Sequence, residues 1–144
     1  MDTAALPNRQ PLDVQVAMDE RAFLFPDGKA VTHLLLSSEG QGRVCIDAVF
    51  GFNETRLAPR ILTLTLDDAR ELGRKLVEAV YHARTHYVIS DTARITINVV
   101  TNGYFVQIGE VSNSTDLFLS TGVIWRVCNG LLRLVDSMSP VVAH

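Results

Sequence analysis

Six residues of this chain could together hold an unpaired nucleic-acid strand: Arg43, Arg56, Arg60, Asn98, Phe105 and Gln107. Unpaired bases stack on aromatic faces, and the phosphates between them attract guanidinium groups. Strand alternation puts Asn98, Phe105 and Gln107 on the sheet face turned away from the core. Arg43 stands at the corresponding place in the first half. Arg56 and Arg60 reach in from the loop 51–60, and Lys29 and Arg94 begin strands. A competing expectation makes Phe105 a cross-strand partner of Val100 and leaves the arginines as solvated charges. The net charge of −3, from 13 Lys+Arg against 16 Asp+Glu, counts against generic polyanion binding but leaves room for a local basic patch.

Other reactive residues are sparser. His82 and His86 are four apart with Glu78 a turn earlier, a stripe that could hold a surface metal ion. The simpler reading is that histidines near a helix C-terminus favour its dipole. Cys45 and His33 could sit as nucleophile and base on adjacent strands, with Cys45 exposed on the face opposite Val44 and Ile46. Nothing in the sequence orients that histidine, and chance pairing explains it better. Asp67-Asp68 reads as a helix start. No phosphate-binding glycine loop, nucleophile elbow or dinucleotide fingerprint is present. The expectation is a non-enzymatic protein with no catalytic residue, metal or cofactor; an enzyme ranks third, with Cys45 as the least implausible nucleophile.

Composition sets the frame for these residues. Hydrophobic residues make up 47% and charged residues 20% of the 144, which is globular composition with enough chain for one core. No run reaches the ~18 apolar residues of a membrane span, so no membrane partner is expected. The first residues lack a basic segment followed by an apolar one, so no signal peptide is expected. Residues 1–11 read as a disordered lead-in, 12–138 as a single domain, and 139–144 as a flexible tail. Cys45 and Cys128, the only cysteines, are then expected as free thiols in the cytoplasm. The sequons at Asn53 and Asn113 carry no meaning in that compartment.

The elements follow from periodicity. Leu12 to Met18 alternates as a half-buried strand. Arg21–Phe25 and Lys29–Leu36 are strand-like around the turn Pro26-Asp27-Gly28. Ser37–Gly42 reads as a turn, Arg43–Phe50 as a strand, and Ile61–Leu64 as a strand feeding a helix over 66–84. Thr65 is its expected N-cap, with Asp68 three residues on. His86–Ile89 is a short strand. Asn102-Gly103 joins Arg94–Thr101 to Tyr104–Glu110 as a hairpin that sets Val99 opposite Val106 and Ile97 opposite Ile108. Val111–Asp116 reads as a loop, Leu117–Ser120 as a strand and Thr121–Met138 as a helix. That last helix is apolar nearly all round, so the first helix and the extra strand cover it, or a second copy does, which makes a homodimer through it an open expectation.

The second half also looks like a rewrite of the first. At a constant offset Leu62, Leu64 and Thr65 meet Leu117, Leu119 and Ser120. Ala69, Leu72, Leu76, Val77 and Val80 meet Ile124, Val127, Leu131, Leu132 and Val135. The expected fold is α+β: two pseudo-symmetric repeats, 21–84 and 86–138, each of about four antiparallel strands followed by a helix, plus an extra N-terminal strand.

This arrangement resembles the PUR-repeat and whirly proteins, which bind single-stranded nucleic acid. In sequence the resemblance is carried mainly by 94–138. Ile95 to Glu110 matches the strand, Asn-Gly turn and aromatic strand of a PUR repeat, and Leu117-Phe118-Leu119-Ser120 then leads into the helix. The first hairpin turn of that family is rich in Arg and Lys. Here it is Thr101-Asn102-Gly103-Tyr104 in one half and Gly40-Gln41-Gly42-Arg43 in the other, where only Arg43 is basic. The resemblance implies single-stranded DNA or RNA as ligand. The alternative is a protein-interaction module of adaptor or immunity type.

Overall fold

A computed structural model describes residues 14–18, 22–25, 28–40, 42–50, 60–110 and 113–138. The lead-in 1–11, the tail 139–144, the Pro26-Asp27 step and most of the loop 51–60, Arg56 included, lie outside the described residues. The chain is α+β, with two antiparallel sheets and two helices.

The four-stranded sheet runs in the order β1 (Val14–Ala17), β4 (His33–Glu39), β5 (Arg43–Val49) and β6 (Arg60–Thr65). The six-stranded sheet runs β3 (Lys29–Ala30), β2 (Ala22–Phe25), β10 (Asn113–Ser120), β9 (Gly103–Glu110), β8 (Arg94–Val100) and β7 (His86–Ile89). β6 leads into α1 (Leu66–His82), and β10 into α2 (Thr121–Met138). Two placements differ from the sequence reading. The strand at 14–17 is no appendage, since it pairs with β4 from Val14↔Leu36 to Ala17↔His33. The added piece is β2 with β3, which leaves the first half and pairs β2 with β10 through Leu117↔Leu24 and Phe118↔Phe23.

Three local boundaries also move. β4 continues through Ser37 to Glu39, and the turn is confined to the residues around Gly40 and Gly42. β10 begins at Asn113 instead of Leu117, because it pairs with β9 along its whole length. The hairpin between β8 and β9 pairs Val100 with Gly103 and turns on Thr101-Asn102, one residue earlier than expected. Ile97 therefore faces Val106, and Asn98 faces Phe105. Because the turn shifts by one residue, the register changes by an even number and every side chain keeps its face. Gly103 belongs in the strand for a steric reason: a Cβ there would stand 2.2 Å from the Leu119 carbonyl oxygen.

α1 is held at both ends, and the two helices are pressed together. Thr65 caps α1, its Oγ1 accepting from the Asp68 N–H at 3.1 Å. The helix ends where Ala83 turns left-handed at φ 50°. α1 packs against α2 and against β7 of the six-stranded sheet, while α2 packs against β1 and β4 of the other. Gly73 of α1 lies under Leu132 of α2, and Gly130 of α2 lies under Val14 and Val16 of β1. The apolar α2 is thus covered by α1 and β1 of its own chain, the first of the two coverings expected for it. Leu34, Leu36, Val44 and Leu64 from one sheet, Ile95, Ile97 and Leu119 from the other, and Ile124, Leu131 and Leu134 from α2 are almost wholly buried. With Leu72 and Leu76 of α1 they form one core shared by both sheets and both helices. Among the described residues, no helix is long and apolar enough to cross a membrane.

Candidate nucleic-acid interface

The outer face of the six-stranded sheet is organised in cross-strand rows, and the registers fix who stands beside whom. One row runs Phe23, Phe118, Phe105, Asn98. The next runs Phe25, Asp116, Gln107, Thr96, Tyr87. A third runs Ser114, Gly109, Arg94, Ile89. Alternation explains the outward set: Phe118 lies between the buried Leu117 and Leu119, and Phe105 between the buried Tyr104 and Val106.

The aromatic residues touch one another. The Phe105 ring centroid is 5.2 Å from that of Phe118 and 5.9 Å from that of Phe25. Phe23 and Phe118 are 6.5 Å apart. All four residues are half-buried. Farther along the sheet the Arg94 guanidinium lies 5.2 Å over the Tyr87 ring. Tyr87, at 54% exposure, and Ile89, at 66%, stay largely open.

Of the six site residues read from the sequence, three come together here. Asn98 stands opposite Phe105 and donates from Nδ2 to the Gln107 Oε1. Thr85 Oγ1 donates to Asn98 Oδ1 at 3.2 Å. Arg43 and Arg60 do not join them, for both lie on the four-stranded sheet and are held by carboxylates. Arg43 Nη1 meets Asp91 Oδ2 at 3.1 Å, in the turn between β7 and β8. Arg60 reaches Asp47 at 3.0 Å through Nε and Glu39 at 2.7 Å through Nη1. A bulge produces this: Ile46 pairs with Leu62 but Asp47 with Arg60, so the extra residue Ile61 turns inward and Arg60 outward. The hydrogen bond to Asp47, then the one to Glu39, pushes the Arg60 pKa up and keeps it charged. Sequence reasoning overlooked Phe23, Phe25 and Phe118. The signal was there in the alternation of Phe23-Leu24-Phe25 and in a phenylalanine set between two core leucines.

The other candidate chemistry does not assemble. Register puts Ser37, and not His33, opposite Cys45; His33 pairs with Val49. Cys45, expected on the surface, has no exposed area. Arg60, paired with Glu39 and Asp47, lies near enough to act electrostatically on the Cys45 thiol. Burial raises the Cys45 thiol pKa, against smaller lowering by the Thr63 hydroxyl and Arg60. Cys45 and Cys128 are both free thiols, as expected. His82 ends α1 while His86 begins β7, so the left-handed turn at Ala83 breaks the helical spacing between them. Among the described residues, no group of three or more His, Cys, Asp or Glu gathers as a metal site.

The polar end of the sheet face has a definite shape. Gly109 has no side chain to fill its place in the third row, and a hollow of about 300 Å³ opens there. Arg94, Thr96, Gln107, Ser114 and Asp116 line it. The face thus sets an aromatic row beside a polar row and a polar hollow, with Arg94 as its cation among the described residues. No protein-family model, no curated protein and no solved structure matches this chain.

Proposed function

We propose that this protein is a non-enzymatic binding protein that holds single-stranded DNA or RNA on the outer face of the six-stranded sheet. The observation that carries this is the contiguous row Phe23–Phe118–Phe105 with Phe25 beside it. Rings on a sheet face take bases by stacking, which contributes about 1–3 kcal/mol per base and suits any base. Asn98 and Gln107 follow on the same face as hydrogen-bonding groups. We also read the two halves as pseudo-symmetric repeats: β1-β4-β5-β6 before α1 and β7-β8-β9-β10 before α2 have the same strand order. The matched leucines Leu62, Leu64, Leu117 and Leu119 are all core residues, which supports that reading.

The test is fluorescence anisotropy with labelled single-stranded DNA and RNA, at low and physiological salt. Saturable binding is expected, with Phe105→Ala and Phe118→Ala each weakening it about tenfold, the lower-middle of the stacking range. Absence of binding by the folded wild type at low salt would sink the proposal.

A second reading, a protein-interaction module, is favoured by Tyr87, Ile89 and Val100, apolar groups open to solvent on this same face. Pull-downs that capture a partner through this face, with no oligonucleotide binding, would decide for it. A homodimer through α2 would have the exposed Tyr81–Trp125 edge contact, centroids 5.8 Å apart, as its aromatic anchor; light scattering reads that directly.

A further inference from the structure

The hollow over Gly109 has a lining that selects among the parts of a nucleotide. The Asp116 carboxylate brings acceptor oxygens to the hollow, and among the described residues its side chain makes no hydrogen bond or ion pair. Thr96 and Ser114 bring hydroxyls, which donate and accept. Gln107 already accepts from Asn98 at its carbonyl oxygen, which leaves its N–H groups to donate. Arg94 stands at one wall, with its guanidinium held over Tyr87.

A phosphate does not suit this lining, because the Asp116 carboxylate repels it. An apolar group would leave the side chains of Asp116, Thr96 and Ser114 without partners. A ribose hydroxyl both donates and accepts, so it satisfies the carboxylate and a neighbouring donor at once. The position is also right. Along a strand, alternate residues on one face are about 6.7 Å apart. The hollow row is therefore two such steps, about 13 Å, from the aromatic row, the reach of a nucleotide two along the strand from the one stacked on Phe105. Arg94 can then meet the adjoining phosphate while Asp116 meets the sugar.

We propose that the hollow over Gly109 seats a ribose and that Asp116 accepts a hydrogen bond from its 2′-hydroxyl, so that this face prefers RNA to DNA. The inference rests on the reading of the sheet face as a single-strand site. The 2′-hydroxyl is the group by which a protein distinguishes the two polymers at a given site.

The experiment titrates the full chain with a short labelled oligouridylate and with the matching oligodeoxyuridylate, which differ only in that hydroxyl. The ribo strand is expected to bind about tenfold tighter, the effect of one hydrogen bond to a charged acceptor. Asp116→Ala is expected to erase that ratio. Gly109→Val fills the hollow and is expected to do the same. The backbone admits a side chain there, because a Cβ at Gly109 meets nothing nearer than the Arg94 carbonyl oxygen at 3.8 Å. Retained binding of the deoxy strand reports that each variant is folded. A ratio near one in the wild type overturns the ribose site and leaves the stacking face standing. A preference for RNA that survives both variants overturns it too. Failure of both strands to bind the folded wild type overturns the ribose site and the stacking face together.

Discussion

At the scale of single residues, close approach and burial decide more than side-chain chemistry does. Gly103 and Gly109 occupy the same strand, yet their tolerances are opposite. A Cβ at Gly103 meets Leu119 O at 2.2 Å, Phe118 Cζ at 2.9 Å and Ser120 Cα at 2.9 Å, two of them backbone atoms that cannot swing aside. Gly103→Ala should therefore cost about 3 kcal/mol, the upper end for overpacking, while Gly109→Ala should be nearly neutral; urea midpoints of the two variants make the comparison. The sequence displayed Asn102-Gly103 but not this contact, so it suggested that the glycine serves the turn when it serves the pairing of β9 with β10. Cys128 gives a second prediction. Burial pushes its thiol from the ordinary 9.0 up to about 11. The unfolded chain releases this proton near pH 9, whereas the folded chain keeps it until about pH 11. The contribution to stability is complete below pH 9 and is lost as pH rises toward 11, by about 3 kcal/mol in all. The stability advantage of the wild type over Cys128→Ala should shrink across that window, as read by urea unfolding at stepped pH. An advantage that stays constant would mean that the thiol is not held protonated.

At the scale of elements, the helices are placed by glycines whose neighbours differ in stiffness. At Gly73 a Cβ would meet Leu132 Cδ2 at 2.7 Å, the far end of a side chain with rotamers to spare. At Gly130 it would meet Val16 Cγ2 at 2.9 Å, Val14 Cγ1 at 3.1 Å and Leu36 Cδ1 at 3.2 Å, two of them on branched side chains fixed at χ1. Alanine gains about 1 kcal/mol of helix propensity at either position. Gly73→Ala should thus change stability little, while Gly130→Ala should lower it by about 1–2 kcal/mol net as β1 is pushed off α2. Thermal unfolding of the two variants checks the order, and equal melting temperatures would remove the distinction. Thr65→Ala should cost about 1 kcal/mol through loss of the cap to Asp68. Elements governed by local signals were legible. The cap at Thr65, the start of both helices after a hydroxyl residue and the faces of β8 and β9 all follow from residues within a few positions of one another. The start of β10 was not legible, because Asn113 to Asp116 are polar and become a strand through pairing with β9, joined at Asp116 by β2.

At the scale of the whole molecule, the arrangement hangs on one long-range pairing. β2 joins β10, more than ninety residues away in sequence, and no local periodicity identifies a partner at that distance. That pairing brings Phe23 and Phe25 alongside Phe118 and Phe105, and it separates Arg43 and Arg60 from the face on which the sequence had placed them. The consequence is a surface rich in rings and poor in charge. Arg94 is its cation among the described residues; Arg43 and Arg60 sit on the other sheet in ion pairs. The chain as a whole carries a net charge of −3. Affinity for a single strand would then come from stacking and hydrogen bonds rather than counterion release. For single strands the logarithm of affinity falls with that of salt by about 0.7 per phosphate neutralised. With one phosphate met by Arg94, a fourfold rise in salt should weaken binding by only about threefold. Arg94→Gln should flatten even that dependence, while Phe105→Ala should lower affinity equally at every salt concentration. Anisotropy titrations across a salt series separate the two effects. A steep salt dependence would require several phosphate contacts, which the row around Phe105 does not supply, and would move the binding surface away from it.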